Sequence, residues 1–218
     1  MRSRPRRRSR DHHAFLNVPY DPKYEPLLLA FLAGLCGFGL IPKATVEIPG
    51  SKRRLNRILD LIRRCRYSFH DLSRVELDPE PPPTPRFNMP FELGLAVALA
   101  ALKDRGHRWF VFEAVPHRAW KSLSDIAGTD VYIHEGRPAG VLRQLANALT
   151  RRGLRPSVSD LEQIYEELRS FAARLKDVQG GSLFEARAFR DLVYAGHRIA
   201  RSHLRRRRSK PGSTSCAP

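Results

Sequence analysis

"SKRRLNRILDLIRRCRYSFHDL", residues 51–72, changes its hydrophobic period midway. Leu55, Ile58, Leu59, Ile62 and Cys65 recur at the spacing of a helix with one apolar face, and the other face is basic. Ser51, after the turn at Pro49-Gly50, can cap that helix. "RYSFHDL" (66–72) then follows as a strand almost without a loop. A helix feeding straight into a strand is one unit of an α/β fold.

Working outward, the same unit repeats. Upstream, "HAFLNVPY" (13–20) reads as a strand and "YEPLLLAFLAGLCGFGL" (24–40) as a helix that is apolar nearly all round. The β-branched "KATVEI" (43–48) predicts a second strand. Downstream, "ELDPEPPPTPRF" (76–87) holds five prolines and predicts a polyproline-like surface loop. Residues 88–102 predict a helix without a polar face, as if held between the sheet and another layer. "HRWFVFEAV" (107–115) and "DVYIHEG" (130–136) are strand-like, and residues 119–128 and 139–153 are helical. Strands alternating with helices five times predict a flavodoxin-like, doubly wound, parallel five-stranded sheet over residues 13–153.

After Pro156 the pattern becomes purely helical. Ser159 and Glu162 suggest a capping box. Leu161, Ile164, Leu168, Phe171, Leu175 and Val178 form a stripe at spacings of three and four. "QGGS" (179–182) breaks the helix, and residues 183–204 form a second amphipathic one. This αα-hairpin (157–204) must bury its stripe on the α/β domain or across a homo-oligomer.

The 218 residues carry a net charge of +17, unevenly placed. Residues 1–10 contain six Arg and residues 201–210 five Arg and one Lys, neither with an acid. The rest sets 27 basic residues against all 22 acids, so the body is only mildly basic. Residues 1–12 and 205–218 read as solvated, disordered basic tails able to grip nucleic acid nonspecifically. No DNA-reading motif stands out. Three cysteines without a CxxC fit a reducing, cytoplasmic compartment, and the eight histidines lack metal-ligand spacing, so no metal or other cofactor is expected. The longest apolar run, residues 27–41, is shorter than the roughly 20 residues that span a bilayer, so no membrane span is expected.

Ligands of an open parallel sheet gather at the carboxyl ends of its strands. That edge should bring together Tyr20, Asp21, Asp71, Ser73 and Glu92. Asn88 can cap the helix of Glu92, and Pro90 suits its first turn. Glu92 is the single charge between Met89 and Leu102. The macrodipole favours its ionised form, fit for a nucleophile or a stabiliser of positive charge. Gly94 would admit a close neighbour. Two plainer readings stand beside these: Glu92 pointing to water at a helix start, and Asp71 capping the turn after its strand. His70, on the opposite sheet face, reads as core.

"FLNVPYDPKY", "RYSFHDLSR" and "RFNMPFELGLAVAL" resemble, in order and spacing, the nucleoside 2-deoxyribosyltransferase-like and TIR-like group. The resemblance covers about residues 13–150, and "FELGLAVAL" is its most specific part. It implies N-glycosidic cleavage of a nucleoside or nucleotide, NAD among the candidates, and a role in bacterial defence. By motif it makes Glu92 the catalytic carboxylate, Asp71 a sugar-hydroxyl partner and Tyr20 a base or sugar contact. Asp21, Ser73, Asn88 and Phe91 fall in as further substrate-binding residues. Where those transferases carry another acid, this chain has Arg86-Phe87-Asn88. A nucleotide-sensing domain without chemistry and a nucleic-acid-associated basic protein are the alternatives.

Overall fold

The computed structural model describes residues 12–47, 53–74, 77–78, 81–102, 106–149 and 156–209. The tail segments 1–11 and 210–218 lie outside the described residues.

Five strands form one all-parallel sheet: β1 (His13–Asn17), β2 (Ile41–Lys43), β3 (Tyr67–Asp71), β6 (Arg108–Glu113) and β7 (Val131–Ile133). Their order, β2-β1-β3-β6-β7, is the doubly wound flavodoxin-like arrangement. The registers His13↔Ile41, Ala14↔Tyr67, Tyr67↔Arg108 and Val111↔Val131 align the carboxyl ends of β1, β3 and β6 along one edge. The helices are α1 (Glu25–Gly37), α2 (Arg54–Arg64), α3 (Asn88–Leu102), α4 (Arg118–Ser122), α5 (Pro138–Ala148), α6 (Val158–Gln179) and α7 (Ala186–Ser209).

The two sheet faces are covered unequally. Ala14, Leu16, Phe110 and Phe112 join a large core with α1, α5, α6 and α7. Phe15, on the opposite face, packs with Ile58, Ile62, Cys65 and Ala96 of α2 and α3. The sandwiched helix is therefore α1, which explains its all-round apolarity: Leu28, Phe31, Leu32 and Leu35 are fully buried. Each contributes roughly 1.5–3 kcal/mol of transfer free energy. A Cβ on Gly34 would lie 2.4 Å from Leu145 of α5, and one on Gly37 2.5 Å from Leu161 of α6, so these glycines let the outer layer close down. The helix stops at Gly39 (φ 71°), where the Leu40 N–H donates to the Leu35 carbonyl at 2.9 Å.

Several sequence expectations are corrected. The α3 helix is not sandwiched: Ala98, Ala101 and Leu102 are exposed, and no protein atom lies within 4 Å of a Cβ on Gly94, which thus serves no close approach of a neighbouring backbone within the chain. Its weak polarity comes from small residues rather than from burial on two sides. The strand expected over 43–48 lies earlier, as β2 at Ile41–Lys43, and overlaps that stretch only at Lys43; residue 48 is outside the described residues. Thr45–Glu47 turns as a 3-10 helix, because Glu47 folds back to accept from the Ala44 N–H at 3.3 Å and to pair with Lys43 at 3.2 Å. The proline-rich segment is not wholly irregular, since β4 (Leu77–Asp78) and β5 (Thr84–Pro85) pair antiparallel. The α6 cap is Ser157 with Asp160, two residues earlier than Ser159 and Glu162. The last helix continues five residues past 204, to Ser209.

The hairpin α6–α7 docks on α1 of its own chain. Leu161, Ile164 and Leu168 are fully buried there, whereas Val178 is 84% exposed. The stripe that suggested self-association is thus consumed within the chain. No helix among the described residues is long and apolar enough to cross a membrane.

Candidate active site

The carboxyl edge holds two separate small cavities of about 200 Å³ each; of the anticipated residues, Tyr20, Asn88 and Glu92 line one and Ser73 the other, while Asp21, Asp71 and Phe91 line neither. The first is lined by Asn17, Val18, Pro19 and Tyr20 after β1, by Thr45 and Arg54, and by Arg86, Asn88, Met89 and Glu92 around the start of α3. Asn17 joins these elements: its Nδ2 donates to the Met89 carbonyl at 3.0 Å and lies 3.0 Å from His70 Nδ1. His70 is fully buried against Phe15, in keeping with a core role, and burial lowers its pKa to about 3.

Glu92 is only 5% exposed and makes no hydrogen bond among the described residues. Burial raises its pKa to about 7, opposed by the positive charge of Arg54. This overturns the expectation of a dipole-stabilised carboxylate. Glu92 is the fifth residue of α3, beyond the first turn where the macrodipole is felt, so desolvation wins. At 5% exposed, Glu92 does not project from the helix start into bulk water; it lines the small cavity. The carboxyl is poised where it exchanges a proton near neutrality.

Tyr20 forms one wall. Its hydroxyl is 2.5 Å from Thr45 Oγ1, and its ring lies 5.5 Å from Phe184 of the hairpin connection. Asn88 is the first residue of α3 and lines the cavity. Phe91 is 55% exposed and does not line it.

Asp71 is elsewhere and differently employed. It is fully buried, and both carboxylate oxygens are taken. Oδ1 accepts from the Ser73 N–H at 2.8 Å and from the Ser73 hydroxyl; Oδ2 accepts from the Tyr24 hydroxyl and lies 3.1 Å from His134 Nε2. The bond to the Ser73 N–H is the turn-capping contact of an Asx turn. With about four acceptor positions filled, Asp71 has none left for a sugar hydroxyl. The catalytic role anticipated for it is not supported by this geometry. Ser73, His134 and Asp71 do not form a nucleophilic triad either. His134 Nδ1 accepts from the Gly136 N–H at 3.1 Å, so Nε2 faces both Ser73 Oγ (3.0 Å) and Asp71, and the serine hydroxyl donates to the carboxylate rather than to a base.

The second cavity lies above this knot, lined by Lys23, Tyr24, Ser73, Arg74, Arg118 and neighbours. Its arginines are engaged. Arg74 pairs with Asp21, which also caps Lys23 at 2.8 Å, and Arg118 pairs with the fully buried Glu113 at 3.1 Å. Asp21 therefore fixes a loop, and Ser73 belongs to the Asp71 network.

Sequence reading anticipated Tyr20, Asn88 and Glu92 in one site, and missed Asn17, Thr45, Arg54 and Arg86. Asn17, a lone polar residue ending an apolar strand, carried a readable signal; Arg54 and Arg86 are two among many arginines. Among the described residues no group of three or more His, Cys, Asp or Glu is arranged to hold a metal ion. Compared with family models, curated proteins and solved structures, the chain matches none of them.

Proposed function

We propose that the protein is an N-glycosidase acting on a nucleoside or nucleotide, with Glu92 as its catalytic carboxylate. The observation that carries this reading is a buried carboxyl without a hydrogen bond, at the wall of a cavity on the carboxyl edge, with Arg54 and Arg86 lining the same space. The resemblance of residues 86–99 to the deoxyribosyltransferase-like and TIR-like group points the same way, and NAD is the substrate that the second half of that group suggests.

The chemistry follows from the groups present. Cleavage breaks the bond between the anomeric carbon and the base nitrogen, and the electron pair leaves with the base. Positive charge develops on the sugar, and ionised Glu92 stabilises it or captures the carbon as an ester. Water then delivers hydroxide to that carbon, freeing Glu92 where an ester had formed; its proton goes to a purine or pyrimidine that leaves as an anion, and to solvent where the base leaves neutral, as nicotinamide does. Arg54 and Arg86 suit a phosphate on the sugar. A cavity of about 200 Å³ accommodates a pentose more readily than a whole nucleotide, placing the base at the mouth beside Tyr20.

The purified protein is to be incubated with nucleosides, nucleotides and NAD, and free base measured by chromatography. Base release that disappears in Glu92→Gln supports the reading. Release unchanged in that variant ends it. Because the ionised carboxylate does the work, turnover should rise with pH through about 7.

A sensing domain that binds the same ligand without cleaving it is the second reading. It is favoured by one observation: Asp71, the expected second carboxylate, is wholly committed to the protein's own donors. Calorimetric binding without base release would select it.

A further inference from the structure

The outer face of α3 carries no charge. Met89, Glu92, Leu93 and Ala96 are buried against the rest of the chain. Phe87, Phe91, Gly94, Ala98, Ala101 and Leu102 are exposed and follow one another in steps of three and four, as one helical stripe. Phe87 is 65% exposed, Phe91 55% and Leu102 78%. With about 200 Å² to a phenylalanine side chain, the two rings expose roughly 240 Å², and Leu102 with the three small residues brings the stripe to roughly 500 Å². Monomers leave at most about 600 Å² in one apolar patch. Two such stripes face to face bury about 1,000 Å², the size at which specific interfaces begin. Gly94 has no use inside the chain. Glycine in a helix interior is less favourable than alanine, and no protein atom lies within 4 Å of a Cβ placed there.

We propose that the protein forms a two-fold dimer in which α3 packs antiparallel against α3 of a second copy. The order of side-chain sizes along the stripe is large, small, large, and this order is self-complementary. A two-fold axis midway between Gly94 and Ala98 sets Gly94 of each copy against Ala98 of the other, and Phe91 against Ala101. Bulk then meets space at each step, and the missing Cβ of Gly94 lets the helix axes approach to about 8 Å. A bilayer is a poorer occupant. A helix lying on lipid sets cations beside its apolar face, and α3 contains no Lys or Arg. The hairpin is not needed for this contact, since its own stripe is buried on α1. Each copy carries a net charge of +17, so repulsion opposes the dimer and salt relieves it.

The test is sedimentation velocity of the full chain, freed of nucleic acid by nuclease treatment. A contact of this area predicts a micromolar dissociation constant, so dimer should predominate at about 200 µM and monomer at about 1 µM. Raising NaCl from about 0.1 to 0.5 M should tighten the dimer, because the charges it screens are alike. Ala98→Glu puts a charge at the centre of the seam and Gly94→Gln fills it; each should weaken the dimer at least about tenfold. Both positions are exposed, and circular dichroism verifies folding. Gly94→Gln should also keep or raise the melting temperature of the dilute chain, since the monomer has room for the side chain and glutamine is the better helix former. Val178→Glu, at the 84% exposed end of the hairpin stripe, should leave the dimer as it is. The proposal is overturned by a chain still monomeric at about 200 µM, by a dimer that Ala98→Glu and Gly94→Gln alter less than about twofold, or by one that Val178→Glu or added salt dissociates. A monomer that sediments with phosphatidylcholine vesicles, and ceases to do so in Phe91→Ser, would overturn it in favour of a lipid surface. Base release by Glu92 plays no part in these measurements, so either proposal can fail without the other.

Discussion

Asp71 and Glu92 occupy the same edge of the sheet, both almost withdrawn from water, and their surroundings are opposite. Asp71 ends β3 among four donor contacts and organises Tyr24, Ser73 and His134 around itself. Glu92 has no hydrogen bond among the described residues, and burial holds its pKa near 7. A satisfied buried carboxylate strengthens a fold, whereas an unsatisfied one weakens it and is retained where a ligand or a reaction uses it. Equal burial thus conceals two roles, and the hydrogen-bond partners tell them apart.

The largest expected effect separates these roles in activity. Glu92→Gln should lower base release about 10³-fold, equivalent to about 4 kcal/mol of transition-state stabilisation. Chromatographic rates for this variant and for Asp71→Asn, both checked for folding, make the comparison; an Asp71→Asn protein that folds well yet loses as much activity would break it.

Next comes stability. Asp71→Asn keeps the shape but turns an acceptor oxygen into an N–H pointed at buried donors. A loss of about 3 kcal/mol is expected in urea unfolding, with ligand affinity per folded molecule retained. Unfolding midpoints unaltered by the change would show that Asp71 does not hold its corner of the fold together.

Glu92 should show the reverse sign. Its folded pKa of about 7 lies above the ordinary carboxylate value, so between roughly pH 4.5 and 7 the native state holds a proton that the unfolded chain has released. Stability therefore falls as pH rises through that window and is lowest above about 7. Glu92→Gln removes the penalty and should stabilise the protein by about 2 kcal/mol at pH 8, with little effect at pH 4.5. Melting curves of the two proteins at both pH values test this, and parallel curves would contradict a raised carboxyl.

The smallest effect belongs to Arg54, whose charge moderates the rise in the pKa of Glu92. Arg54→Met should move the pH profile of turnover upward by less than about one unit and weaken phosphate-bearing ligands by about tenfold or less. Loss confined to phosphorylated ligands would sharpen the assignment; equal loss for bare nucleosides would remove the phosphate role.

Periodicity alone carried the α/β alternation, the parallel sheet and the terminal hairpin, because the period of apolar residues reports local geometry directly. The oddity of Glu92 was equally legible, as one charge in an apolar helix. What local pattern cannot contain is which layer covers which. The apolarity of α1 and of α3 looks alike in sequence, yet α1 is enclosed by α5, α6 and α7 while α3 leaves Leu102 78% exposed. The hairpin stripe was equally compatible with a partner chain until its docking on α1 was seen. The separation of Asp71 from Glu92 was decided the same way, by Tyr24 and His134 arriving from elements 47 and 63 residues away to saturate one carboxylate and not the other. Hydrogen-bond saturation depends on long-range contacts, so the sequence by itself determined the elements and the suspicious carboxylate, and only the tertiary structure decided which carboxylate was left for chemistry.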